Sequence, residues 1–126
     1  MARVLIADDE ESMRALVARA IAMDGHMVAT AEDGAEALEI ISREDGAFDL
    51  LLTDIKMPIM DGIALALTVA RDYPDVTILL MTGFADQRER ATGLDAIVFD
   101  VVTKPFSVAE IRAAAARALA SRKSGA

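Results

Sequence analysis

The chain has 126 residues, 54% of them hydrophobic, and a formal net charge of −8. That length suits one domain with a substantial core. The acidic balance argues against nucleic acid and against an anionic membrane surface, both of which call for clustered Lys and Arg. With no cysteine there is no disulfide, thiolate metal site or cysteine nucleophile, which fits a reducing cytoplasm.

The first apolar run, Val4-Leu5-Ile6-Ala7, is shorter than the roughly 7–15 residues of a secretory h-region, and reads as a strand. No run approaches the roughly 18 apolar residues of a membrane-spanning helix. A soluble cytoplasmic protein is expected.

In chain order, a strand is expected near 3–7, closed by Asp8 and Asp9. A helix follows over about 11–23, where Met13, Leu16, Val17, Ala20 and Ile21 recur at helical spacing and Gly25 lies just beyond the end. His26 precedes a strand at 27–31 and reads as a solvated turn residue. The second helix starts after Asp33-Gly34 and turns Ala37, Leu38 and Ile41 inward. A strand at 49–53 is closed by Asp54, and the third helix runs from Asp61-Gly62 to near Asp72-Tyr73-Pro74. The strand at 77–81 is closed by Thr82.

A short fourth helix is expected from Asp86, an N-cap with Glu89 three residues on, to Gly93. The charged run Asp86–Arg90 reads as its solvated face. A strand at 97–103 is closed by Lys104-Pro105. Ser107 and Glu110 form a capping box for an alanine-rich fifth helix ending near Ser121. Strand and helix alternate throughout, which predicts βα units and a parallel sheet. The reading is one domain over 1–121 with a short tail at 122–126 and no output domain. The seven methionines read mostly as core packing.

In an open parallel sheet, ligands bind just outside the carboxyl ends of the strands. Asp8, Asp9, Asp54, Thr82 and Lys104 would all arrive there. A helix cap or a strand-end turn explains any one of them, but not the set. Three carboxylates at close range repel, which raises the pKa of at least one, and a cation among them relieves this. The donors are hard oxygens with no His or Cys nearby, so Mg²⁺ or Mn²⁺ is favoured over Zn²⁺. Asp54 is the candidate phosphoryl acceptor, since a carboxylate can attack phosphorus to give an acyl phosphate. Lys104 would neutralise one phosphoryl oxygen and Thr82 would hydrogen-bond another. Gly83 would let the backbone approach.

The string Asp54-Ile55-Lys56-Met57-Pro58-Ile59-Met60-Asp61-Gly62, the pair Asp8-Asp9, Thr82, and Lys104-Pro105-Phe106 resemble the receiver domains of two-component response regulators. The resemblance spans the whole chain. It implies a flavodoxin-like (CheY-like) five-stranded parallel sheet of order 2-1-3-4-5 with five helices. It also implies Mg²⁺ held by Asp9 and Asp54 directly, by Asp8 through water, and by the Lys56 carbonyl. A histidine kinase or histidine phosphotransferase would donate the phosphoryl group, and the Lys104-Pro105 bond would be cis.

Two departures from the family pattern stand out. Receivers commonly carry Tyr or Phe three residues before the lysine, where this chain has Val101. Phe99 would share its direction in a regular strand, and Phe84 with the 84–93 segment is the expected substitute relay. The positions that flank the phosphate, two after the acceptor and two after the threonine, hold Lys56 and Phe84. Neither suits positioning of a water, so slow self-dephosphorylation is expected.

The stretch Met81–Ala91, together with Val101, is similar to CpdR-type regulators, single-domain receivers that deliver substrates to the ClpXP protease when unphosphorylated. That likeness implies ClpX as the downstream partner and a binding switch without enzymatic turnover of other substrates. A phospho-activated receiver or relay shuttle is the alternative. A phosphatase of the haloacid-dehalogenase type also uses Asp, Mg²⁺ and Lys, but it needs a second Asp two residues after the nucleophile, and Lys56 stands there.

Overall fold

The computed structural model describes residues 1–83, 91 and 93–124. Five strands, β1 (Arg3–Ala7), β2 (Met27–Ala31), β3 (Leu50–Asp54), β4 (Thr77–Thr82) and β5 (Asp100–Thr103), form one parallel sheet of order β2-β1-β3-β4-β5. The described residues hold four α-helices, α1 (Glu11–Ala22), α2 (Gly34–Arg43), α3 (Gly62–Asp72) and α4 (Val108–Ser124). The sheet order is the one expected from the resemblance. The fifth helix, expected over 86–93, falls largely outside the described residues, and Ala91 and Gly93 lie in turns.

Successive side chains along a strand point to opposite faces, so a strand covered on both sides is apolar throughout. The central strands β1, β3 and β4 obey this between their polar ends. Leu5, Ala7, Leu51, Ile78 and Leu80 pack on one face with Ala37 and Ile41 of α2 and Leu65, Ala66 and Val69 of α3. Val4, Ile6, Leu50, Leu52, Leu79 and Met81 pack on the other with Val17, Ala20 and Ile21 of α1 and Ile111, Ala114, Ala115 and Ala118 of α4. Small alanines let α4 lie close to its neighbours, α1 and β4. The edge strands β2 and β5 are only partly covered.

Helix starts follow local chemistry. Asp33 and Asp61 each accept a backbone N–H through Oδ1, from Glu36 and Ala64, both at 2.8 Å. Ser107 Oγ accepts from the Glu110 N–H at 3.0 Å while Glu110 Oε1 accepts from the Ser107 N–H at 2.8 Å, the expected reciprocal cap.

Several boundaries differ from the sequence-based reading. Both β3 and β4 run one residue further, so Asp54 and Thr82 are themselves strand residues. β5 begins at Asp100 and not at 97, because the Ile97 and Val98 N–H groups both donate to the Leu94 carbonyl at 2.9 Å and close a turn. The last helix continues to Ser124, so residues 122–124 are helical. His26 is half-buried and not simply solvated: its Nδ1 accepts the Ala2 N–H at 3.1 Å. Met57 and Met81 are core residues, but Met1, Met23 and Met27 are exposed. No helix among the described residues is long and apolar enough to cross a membrane.

Candidate functional site

Parallel register brings the strand ends together. Ala7 of β1 lies beside Ala31 and Thr53, and Thr82 of β4 lies beside Thr103 of β5. Asp8 continues the β1 ladder by donating its N–H to the Ala31 carbonyl at 3.1 Å, and it is fully buried. Its Oδ1 accepts the Glu10 N–H at 3.0 Å, and its carbonyl accepts Arg14 Nη1 at 2.9 Å. Asp9 is exposed. One carboxylate oxygen from each of Asp8, Asp9 and Asp54 lies within 4.8 Å of the others. Lys104 Nζ sits 3.2 Å from Asp8 Oδ2 and 3.3 Å from Asp54 Oδ1, so one ammonium bridges both buried carboxylates. An open groove of about 590 Å³ is lined by Asp9, Glu10, Asp54, Lys56, Met57, Pro58, Gly83 and Lys104.

Burial pushes the Asp54 carboxyl up to about 6, the neighbouring Asp8 charge adds to this, and Lys104 opposes it. The repulsion expected from the sequence is therefore present but secondary to desolvation. Burial acts to lower the Lys104 ammonium, but the Asp54 and Asp8 carboxylates outweigh it and hold the group above its usual range. The cluster thus has hard oxygen donors, an exposed third carboxylate and, in Asp54, a desolvated carboxyl that Lys104 only partly compensates. That donor set fits a small divalent cation such as Mg²⁺.

The loop after Asp54 is fixed through its backbone. The Ile55 N–H donates to the Met81 carbonyl at 3.0 Å, and the Gly62 N–H returns to the Ile55 carbonyl at 2.8 Å. A Cβ at position 62 would overlap the Asp54 carbonyl, so only glycine permits this closure. Gly34, at the start of α2, donates to the Met60 carbonyl at 3.0 Å, and a Cβ there would strike Met60. Between these clamps Ile59 adopts φ 70°, a left-handed conformation that costs a β-branched residue about 1–2 kcal/mol.

The structure thus brings together Asp8, Asp9, Asp54 and Lys104. Lys56 lines the groove with its side chain exposed. Thr82 ends β4 fully buried, and Gly83 is the residue from that segment that faces the groove. The Lys104-Pro105 bond is cis, as expected. Phe84 lies outside the described residues. Phe99 precedes β5 and is exposed, while Val101 is half-buried against the α2–α3 side, so Phe99 does not share the place of Val101 in a regular strand. Sequence reasoning missed Glu10 as a lining residue and the closing roles of Gly34 and Gly62. The two Asp-Gly pairs signalled helix starts, but the contact of Gly34 with Met60 and the closure of Gly62 onto Asp54 and Ile55 carry no local signature.

Residues 4–116 match the response regulator receiver domain family. A probable transcriptional regulator, ycf27 of Guillardia theta, is 40% identical over 88% of this chain and 42% of its own length. The chain spans less than half the length of the first such relatives it matches. A CheY-like receiver domain protein from Methanospirillum hungatei superposes with a TM-score of 0.90 at 25% identity, covering 100% of this chain and 99% of that one. TrrA of Thermotoga maritima, a response regulator solved in complex with Mg²⁺ and BeF, gives a TM-score of 0.80 at 29% identity over 93% of this chain and 98% of its own. Receiver domains bind Mg²⁺ at an acidic pocket and are phosphorylated by histidine kinases. The match across the length of the fold, with the carboxylate cluster and its lysine at the expected strand ends, places this chain in the response-regulator receiver family.

Proposed function

We propose that Asp54 accepts a phosphoryl group from a phosphohistidine of a histidine kinase or histidine phosphotransferase, and that this switches a protein-binding surface. The observation that carries the reading is the Asp54 carboxylate at the end of β3, beside Asp8 and Asp9 and 3.3 Å from the Lys104 ammonium. An Asp54 oxygen forms the new bond to phosphorus as the nitrogen–phosphorus bond breaks, and the imidazole keeps the bonding pair. Asp8, Asp9, Asp54 and the Lys56 carbonyl would hold Mg²⁺, which supplies charge neutralisation for the phosphoryl oxygens. Lys104 would leave Asp8 and Asp54 to pair with one of those oxygens, and Thr82 would bond another. The Mg²⁺–BeF complex of TrrA supports this assignment by likeness.

The chain acts on its own acceptor and not as a phosphatase of other substrates. Lys56, two residues after Asp54, cannot serve as the general acid and base that turnover requires. Incubation with Mg²⁺ and acetyl phosphate should add one phosphoryl group by intact mass, and Asp54→Ala should abolish it. Addition that survives in Asp54→Ala would move the acceptor elsewhere.

For the downstream step we propose an adaptor for the ClpXP protease, active when unphosphorylated. The support is the likeness of Met81–Ala91 and of Val101 to CpdR-type regulators. Purified ClpX should be retained without beryllofluoride and released with it. Retention of a different partner only with the mimic would favour the phospho-activated alternative.

A further inference from the structure

A second groove, of about 350 Å³, lies between one face of α2 and the loop that follows β3. Its apolar lining is Ala35, Ile40 and Ile59, and its polar lining Asp33, Glu36 and Glu39 with Arg43. Among the described residues it shares no lining residue with the carboxylate groove. We propose that this groove docks a cationic segment of a partner protein that presents an apolar residue between lysines or arginines.

Ile59 gives the groove its character. It is 84% exposed at φ 70°, so it carries steric strain and gains nothing from the core. Glycine or asparagine would occupy that conformation at lower cost. A strained residue persists where its surroundings over-determine it, and such residues cluster at ligand clamps. Here the surroundings are the Met60 N–H donating to the Pro58 carbonyl at 2.7 Å and the Gly34 N–H donating to the Met60 carbonyl at 3.0 Å. They hold an aliphatic knob out to solvent beside the half-buried Ile40.

Charge selects the occupant. Three carboxylates face one guanidinium, and Arg43 already lies 3.9 Å from Glu39. A basic segment complements this lining. A second copy of the chain would set acid against acid in a protein of net charge −8. Nucleic acid is disfavoured for the same reason.

The test uses the full chain, isotope-labelled, titrated with a synthetic amphipathic helix bearing leucines on one face flanked by lysines. A counterpart with glutamates in place of the lysines serves as the second probe. The expected result is amide shifts centred on residues 33–43 and 59 with the lysine peptide alone. Ile59→Gly should weaken binding at least tenfold while the urea midpoint stays level or rises, which separates loss of the knob from loss of the fold. The double variant Glu36→Gln, Glu39→Gln should weaken binding by a similar factor and flatten its salt dependence. Shifts centred elsewhere, equal binding of the glutamate peptide, or unchanged affinity in Ile59→Gly would each overturn the proposal.

Discussion

Lys104 Nζ lies 3.3 Å from Asp54 Oδ1, yet the Asp54 carboxyl still stands at about 6. Desolvation therefore wins over the ion pair. The native state holds this proton more tightly than the unfolded chain, where the value is 3.8. The contribution to stability is present below about pH 4 and is lost as pH rises to about 6, on the order of 3 kcal/mol in metal-free protein. Urea unfolding without metal should show Asp54→Asn gaining on the wild type across that window. A pH-independent difference would contradict the desolvated carboxylate.

Replacing Lys104 by Met removes the cation that shares the Asp8 and Asp54 oxygens with any bound metal. The Asp54 carboxyl should rise further above its present value of about 6. At a pH high enough to ionise Asp54 in both proteins, Mg²⁺ should bind several-fold more tightly to the variant. Phosphoryl transfer from acetyl phosphate should nevertheless slow, since an oxygen of the phosphoryl group loses its counter-charge. Calorimetric Mg²⁺ titrations together with intact-mass kinetics check both halves.

Gly62 and Gly25 offer a controlled pair. A Cβ at 62 overlaps the Asp54 carbonyl, whereas at 25, with φ +83°, it meets nothing within 4 Å. Gly25→Ala should cost about 1 kcal/mol from backbone conformation alone. Gly62→Ala should cost more than about 2 kcal/mol and should also slow phosphorylation, because Asp54 must shift. Equal losses in urea unfolding would show that the contact with Asp54 is not decisive.

At the opposite end of the sheet, Arg3 joins three groups. Nη1 donates to the Ala47 carbonyl at 2.7 Å, Nη2 meets Glu44 Oε1 at 2.9 Å, and the guanidinium lies 4.8 Å over the Phe48 ring. A lysine keeps the charge but not the planar fork. Arg3→Lys should cost about 1 kcal/mol and Arg3→Ala about 2 kcal/mol, with phosphorylation unaffected. A Lys variant as stable as the wild type would reduce the site to simple charge.

The sheet and most of the carboxylate groove were legible because buried parallel strands are uniformly apolar and end abruptly in polar residues. Asp8, Asp54, Thr82 and Lys104 each mark such an end. What stayed hidden depends on individual hydrogen bonds and on one backbone conformation. His26 looked solvated because nothing local reveals that the Ala2 N–H, 24 residues away, donates to it. The start of β5 was misplaced because Ile97, Val98 and Phe99 are as apolar as a strand, while the Leu94 carbonyl captures two of their N–H groups. The left-handed turn at Ile59 runs against the preference of its own side chain, so no propensity could have suggested it.

The Lys104 N–H donates to the Thr82 carbonyl at 2.7 Å, one step beyond the pairing of Thr82 with Thr103. The hydroxyl-bearing and ammonium-bearing residues thus belong to one mechanical piece although 22 positions separate them. A displacement of the β4 end drags the lysine backbone with it and, through the ammonium, reaches both buried carboxylates.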